Sequence, residues 1–130
     1  MRTLLYDSDC GFCRTTLGAV VAWDRRCTVR PVPLQAPEAE RLLPGMNAEQ
    51  RMASLHLVDS EGRVLSGGQA LPALIAGLPR GRNAAAILRR IQPLTDLGYR
   101  LVAGNRHRLG PLIPSAWKAR ADARIKRRVA

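Results

Sequence analysis

Hydrophobic and polar positions follow two rhythms along the chain, one of strands and one of helices. Residues 3–6 are a short, mostly apolar run of strand-compatible residues that stops at Asp7-Ser8-Asp9, a turn-forming cluster, so a buried first strand is expected there. Phe12, Thr16, Ala19, Val20 and Trp23 then recur at helical spacing, which puts Cys10 at a helix start and Cys13 one turn inside. Residues 28–34 look like a strand but include Pro31 and Pro33. A proline gives no N–H to a ladder, so this strand belongs at a sheet edge. Residues 38–43 predict a short helix ended by Pro44-Gly45. Residues 53–58 and 63–66 flank Asp59-Ser60-Glu61-Gly62 as a hairpin. Ala70, Leu71, Leu74, Ile75 and Leu78 form a helical stripe that Pro79 closes. A first strand, a crossover helix, an edge strand, a helix, a hairpin and a closing helix make an α/β sandwich over residues 1–79.

The remainder reads as helical. Asn83 is a candidate cap for a helix bearing Ile87, Leu88 and Ile91, and Pro93 suits the first turn of another bearing Leu94, Leu97, Leu101 and Val102. Gly104-Asn105 stops that helix, and Ser115 caps a last one with Trp117, Ala121, Ile125 and Val129 along one side. The expected organisation is one domain over residues 1–110, its core 1–79 extended by helices over 80–110, followed by a basic C-terminal helix or tail over 111–130.

Length and composition fit this picture. A chain of 130 residues, 46% hydrophobic and 24% charged, is an ordinary globular domain, not a disordered, collagenous or coiled-coil one. Its core needs no disulfide staples. The longest uncharged apolar stretch, residues 17–23, is far short of the roughly 20 residues that cross a bilayer. Charge is divided unevenly: residues 1–79 are neutral, and the whole net charge of +11 falls in residues 80–130. Such a body with a cationic extension attracts polyanions or acidic membranes, but 19 of the 21 basic residues are Arg, a skew that coding bias alone can produce, so charge by itself assigns no partner. The first residues lack the pattern of a secretory signal. A cytoplasmic location is therefore expected, and with it reduced thiols.

The sharpest chemical feature is Asp9-Cys10-Gly11-Phe12-Cys13, where a buried strand passes into a helix. Two residues between cysteines at a helix start let the sulfurs close a small disulfide ring, and the helix N-terminus favours thiolate at the first of them. Cys10 is the candidate nucleophile, forming a mixed disulfide that Cys13 resolves. Two other readings stand beside this one. The pair could be half of a zinc site completed by Cys27, His56 or His107, whose spacing is irregular, or both could be small core residues, against which the turn before Cys10 argues for exposure. Asp9 is read either as a proton relay beside Cys10 or as a helix cap, and Asp7 as a cap or turn former. Cys27 is expected to be buried, His56 to sit on a sheet face with an ordinary partner, and His107 to be solvated. The last helix carries Lys118, Arg120, Arg124, Lys126, Arg127 and Arg128; it lies on an acidic membrane, grips a phosphate backbone, or packs its stripe on the body. Removal of residues 111–130 is expected to leave turnover intact.

Tyr6-Asp7-Ser8-Asp9-Cys10-Gly11-Phe12-Cys13 resembles the signature that opens the DCC thiol-disulfide oxidoreductase family, named for the residues that stand here as Asp9, Cys10 and Cys13. Gly67-Gly68-Gln69-Ala70 and residues 99–109, with Asn105-Arg106-His107-Arg108, are similar to its later landmarks. The resemblance implies a thioredoxin-like β-α-β-α-β-β-α core with additional C-terminal helices and a redox-active C-x-x-C. On this reading the protein reduces a disulfide-containing substrate with electrons from an external dithiol, and needs neither metal nor flavin. The alternative is a non-enzymatic binding protein whose basic end meets an acidic membrane or nucleic acid. Two departures are visible: Ser8 stands where the signature usually has Gly, and Arg51-Met52 stands where thioredoxin-like folds commonly place a cis-proline. A cis bond there would cost about 3 kcal/mol without proline, so a trans bond and a differently shaped groove are expected.

Overall fold

The computed structural model describes residues 1–129. Four strands and eight helices follow in the order β1 (Arg2–Tyr6), α1 (Gly11–Trp23), β2 (Val29–Pro33), α2 (Pro37–Leu42), α3 (Ala48–Met52), β3 (His56–Val58), β4 (Val64–Ser66), α4 (Ala70–Ala76), α5 (Arg82–Arg90), α6 (Gln92–Gly104), α7 (Arg106–Leu109) and α8 (Ser115–Val129). Short 3-10 turns at Gly67–Gln69 and Gly110–Leu112 precede α4 and α8. The sheet order is β2-β1-β3-β4. β1 pairs parallel with β2, placing Leu4 opposite Pro31 and Tyr6 opposite Pro33, and antiparallel with β3. Both prolines thus lie on the edge strand, where a missing donor is tolerated. This mixed sheet covered by helices on both faces is a thioredoxin-like α/β fold.

Alternation along the strands divides the core in two. Leu4, Val29 and Leu57 pack with Leu17 and Val21 of α1, Ala70 and Leu74 of α4, and Ile125 of α8. Leu5, Val32 and Val58 point the other way, toward Leu34, Ala39 and Leu43.

Several elements differ from the sequence expectation. The inward face of α1 is Leu17, Gly18 and Val21; of the expected stripe through Phe12, Thr16, Ala19, Val20 and Trp23, Val20 packs against that core. That helix is gripped from two sides, by the sheet and by α8, so its buried face is offset; Thr16 and Ala19 are exposed, and the Trp23 indole N–H reaches out to Pro79 O at 2.7 Å. The strand expected from residue 53 begins at His56, because residues 53–55 form the turn that leads out of α3. Asn47 and Gln50 build a reciprocal capping box for α3, an Asn-x-x-Gln signal that was there to be read.

The last helix packs on the body. Ala121 and Ile125 are buried while Trp117 and Val129 are exposed, so half of the expected stripe faces water. The contact between α1 and α8 is close because Gly18 has no side chain: a Cβ there would stand 2.6 Å from Ala121 Cα. Gly18→Ala is expected to force the two helices apart and lower stability by about 1–3 kcal/mol, read as a fall in the urea midpoint. Because Ile125 belongs to the core, removal of residues 111–130 is expected to unfold the domain and turnover to be lost with it.

Cys27, expected in the core, is exposed. It sits in a left-handed conformation, φ 54°, at a turn in which its N–H donates to Asp24 O at 3.1 Å. The Asp24 carboxylate captures the next two backbone N–H groups, and this turn leaves the Cys27 side chain outside.

Candidate active site

The first turn of α1 holds both sulfurs. Cys10 is the N-cap, and its Sγ accepts a hydrogen bond from the Cys13 backbone N–H at 3.3 Å, so sulfur stands where a Ser or Asp oxygen usually caps a helix. The turn before it closes through the Cys10 N–H donating to Asp7 O at 3.3 Å. Ser8, in place of the signature glycine, fits this turn without a positive φ. Its N–H and hydroxyl donate to Gln35 Oε1 at 3.2 and 2.8 Å, tying the turn to the segment after β2.

Cys10 is 1% exposed, contrary to the exposure expected from its turn. Gly110 explains part of the cover: it packs on the first turn of α1, close enough that a Cβ there would lie 3.6 Å from Phe12 N. Cys13 is half-buried. Burial, the hydrogen bond between the two thiols and the neighbouring Cys10 charge push the Cys13 pKa up to about 12. Cys13 therefore holds its proton at neutral pH.

The two aspartates are placed differently. Asp9 is exposed and accepts from Gln35 Nε2 at 3.3 Å. Asp7 is buried, and its Oδ1 accepts from the Asp9 N–H at 3.0 Å and from Gln35 Nε2 at 2.7 Å. Its Oδ2 faces Arg106 Nη2 at 3.6 Å. Asp7 and Arg106 both act on Cys13, the carboxylate raising its pKa and the guanidinium lowering it. The carboxylate set against the sulfurs is thus Asp7, with Arg106 balancing it, whereas Asp9 faces solvent.

Arg106 and Gln35 are the site residues that sequence reasoning did not single out. Arg106 also donates to Met52 O at 2.9 Å, so the position where a cis-proline was missed is held from α7 instead. No cis peptide bond occurs among the described residues. Two open cavities flank this contact. One of about 510 Å³ lies between Ser54, Gly67–Gln69 and α6, with Tyr99 and Arg106 in its wall. The other, of about 450 Å³, lies between residues 34–37 and Met52. Gly67 and Gly68 let α6 close against one wall of the first cavity: Gly67 has φ +61°, and a Cβ on Gly68 would stand 2.8 Å from Asp96 Cα of α6. Tyr99 anchors α6 by accepting the Leu55 N–H at 2.9 Å.

The remaining candidates lie apart from the sulfurs. His56 is buried, with Nδ1 2.6 Å from Ser66 Oγ and Nε2 2.9 Å from Arg51 O. Burial lowers its pKa against the upward pull of the Arg51 and Gln50 carbonyls. His107 is exposed. Among the described residues no group of three or more His, Cys, Asp or Glu is placed to hold a metal ion.

A family model described as DCC1-like thiol-disulfide oxidoreductase matches residues 4–111. No curated protein and no solved structure matches the chain.

Proposed function

The chain belongs to the DCC1-like thiol-disulfide oxidoreductase family, and from that premise we propose that it reduces substrate disulfides through Cys10 and Cys13. The observation that carries this reading is the asymmetry of the pair. Cys10 Sγ receives an N–H from the helix start, while Cys13 retains a proton. In the first step the Cys10 thiolate attacks one sulfur of the substrate disulfide. A Cys10–substrate bond forms, the substrate S–S bond breaks, and one half leaves as thiolate to take a proton from water. Cys13 then gives up its proton and attacks Cys10 Sγ, forming the Cys10–Cys13 disulfide and releasing the second half as thiol. Two electrons pass to the substrate, and an external dithiol restores the enzyme by the same exchange in reverse.

Cys10 is too enclosed to meet a disulfide as it stands. We take residues 106–112 as the part of its cover that opens for substrate: beside their packing on α1, they are held by the 3.6 Å pair of Arg106 with Asp7 and by one hydrogen bond from Arg106 to Met52 O. We place Asp7 as the group that shapes the turn and tunes Cys13; Asp9 is left to assist proton exchange from the solvent side. We place the reaction in the cytoplasm, where a reducing poise favours net reduction.

The test is turnover of an oxidised protein substrate with a dithiol donor, paired with peptide mass mapping after oxidation. The expected result is catalytic reduction and a Cys10–Cys13 bridge. A protein that forms no such bridge on oxidation, or that reduces no disulfide faster than the donor alone, would overturn the proposal.

A further inference from the structure

One cation beside the sulfurs takes no part in the exchange written above. Helix α8 runs alongside α1 in the same direction, with Lys118 at Gly11, Ala121 at Gly18 and Arg128 at Val21 and Asp24, so the first turns of the two helices stand together. A helical side chain leans toward the N-terminus of its own helix, and the Lys118 stem is laid back across Gly11, the residue that follows Cys10. A Cβ at Gly11 would stand 3.4 Å from Lys118 Cε and 3.6 Å from its Nζ. Lys118 thus fills the space that a larger residue between the two cysteines would take.

The ammonium is half-buried, and among the described residues no carboxylate lies within salt-bridge distance of it. The acids nearby are engaged elsewhere. Asp122, one turn further along α8, faces Arg14 Nε at 3.3 Å; Asp7 faces Arg106 Nη2 at 3.6 Å; Asp9 accepts from Gln35 Nε2 at 3.3 Å. Ala121 and Ile125 are buried and fix α8 to the body, so Lys118 stays in place when residues 106–112 open. Resting on the reading that Cys10 attacks the substrate, we propose that Lys118 selects for acidic disulfides, its Nζ pairing with a carboxylate carried close to the sulfur that bonds to Cys10. While bonded to Cys10 that half of the substrate lies at the first turn of α1, where the ammonium already stands. Partial burial of an unpaired ammonium is unfavourable, and an incoming carboxylate relieves it.

Three disulfides of similar size test this: dithiodipropionate, hydroxyethyl disulfide and cystamine, which carry negative, no and positive charge. The full chain with a dithiol donor is expected to show the highest kcat/KM for the anionic one. Lys118→Gln should lower the ratio of anionic to neutral kcat/KM by about fivefold and leave the neutral rate unchanged, and Lys118→Glu should move the preference toward cystamine. Lys126→Gln removes the same charge from the exposed far end of α8 and should leave the ratio as in the parent. Oxidised peptides with Asp or Asn beside the half-cystine, run in parallel, show whether the carboxylate belongs to a small molecule or to a protein side chain. Reduction of no disulfide in either set overturns the redox reading and this inference together. Rates independent of charge in both sets, an unchanged ratio in Lys118→Gln, a neutral rate that falls as far as the anionic one, or an equal loss in Lys126→Gln overturns this inference alone.

Discussion

Cys10→Ser is expected to reduce disulfide turnover to the level of the dithiol donor alone, and Cys13→Ser to leave the first exchange intact while stopping the second. The two variants differ because the sulfurs do. A serine hydroxyl at position 10 can still accept the Cys13 N–H but cannot attack a disulfide. Without Cys13 the mixed disulfide at Cys10 loses its intramolecular resolving group, whose effective molarity is about 10⁵ M or more when well oriented. Donor dithiol at ordinary concentration then resolves the adduct slower by at least three orders of magnitude, and substrate should accumulate on Cys10, visible by mass. Both experiments belong in a Cys27→Ser background, since Cys27 is exposed and would give side adducts. Equal turnover by Cys10→Ser and its parent, or an adduct that maps to Cys13, would remove Cys10 as the attacking group.

The succession of strands and helices, the edge position of the proline-bearing strand and the hairpin were legible in the sequence because each rests on local chemistry. Pro31 and Pro33 lack donors, and Asp59 organises its turn by accepting from the Glu61 and Arg63 N–H groups. The helix-start position of Cys10 was legible for the same reason. Its burial was not, because part of the cover comes from Gly110, a hundred positions away, packed on the first turn of α1. Arg106 was quoted as part of a landmark but given no task; a charged residue in a basic run looks solvated until the fold brings it to Asp7 and Met52 O. Cys27 failed in the other direction: frequency favours burial of a free cysteine, but the demand of Asp24 for two successive N–H groups set the turn. The face of α1 was misjudged by treating it as packed on one layer, when Gly18 is the position that admits a second.

Arg128→Ala is expected to be the most damaging single change to stability. Asp24 is fully buried, and its carboxylate accepts from Thr28 N, Thr28 Oγ1, Val29 N and Arg128 Nη1, the last at 2.8 Å. The guanidinium also donates to Val29 O, Val21 O and Asp24 O, so one side chain of α8 ties the end of α1 to the start of β2. Removing it strands a buried carboxylate and several carbonyls, a loss of about 3–5 kcal/mol from a domain expected to have roughly 5–15 kcal/mol in all. The pH dependence has a definite sign. Burial by itself would raise the Asp24 pKa, but the hydrogen bonds from Thr28, Val29 and Arg128 outweigh it and hold it below the ordinary aspartate value. A depressed carboxyl contributes its stability fully above the unfolded pKa of about 3.9 and loses it as pH falls through the lower folded value. In Arg128→Ala the upward push of burial meets less opposition, so acid unfolding should begin at higher pH than in the parent. Urea melts at neutral pH and near pH 4 check both parts, and Asp24→Asn with Arg128→Met should recover some of the loss because neither charge is then left alone. A chain ending at residue 114 lacks Ala121, Ile125 and Arg128 together, and is expected to show no cooperative melt.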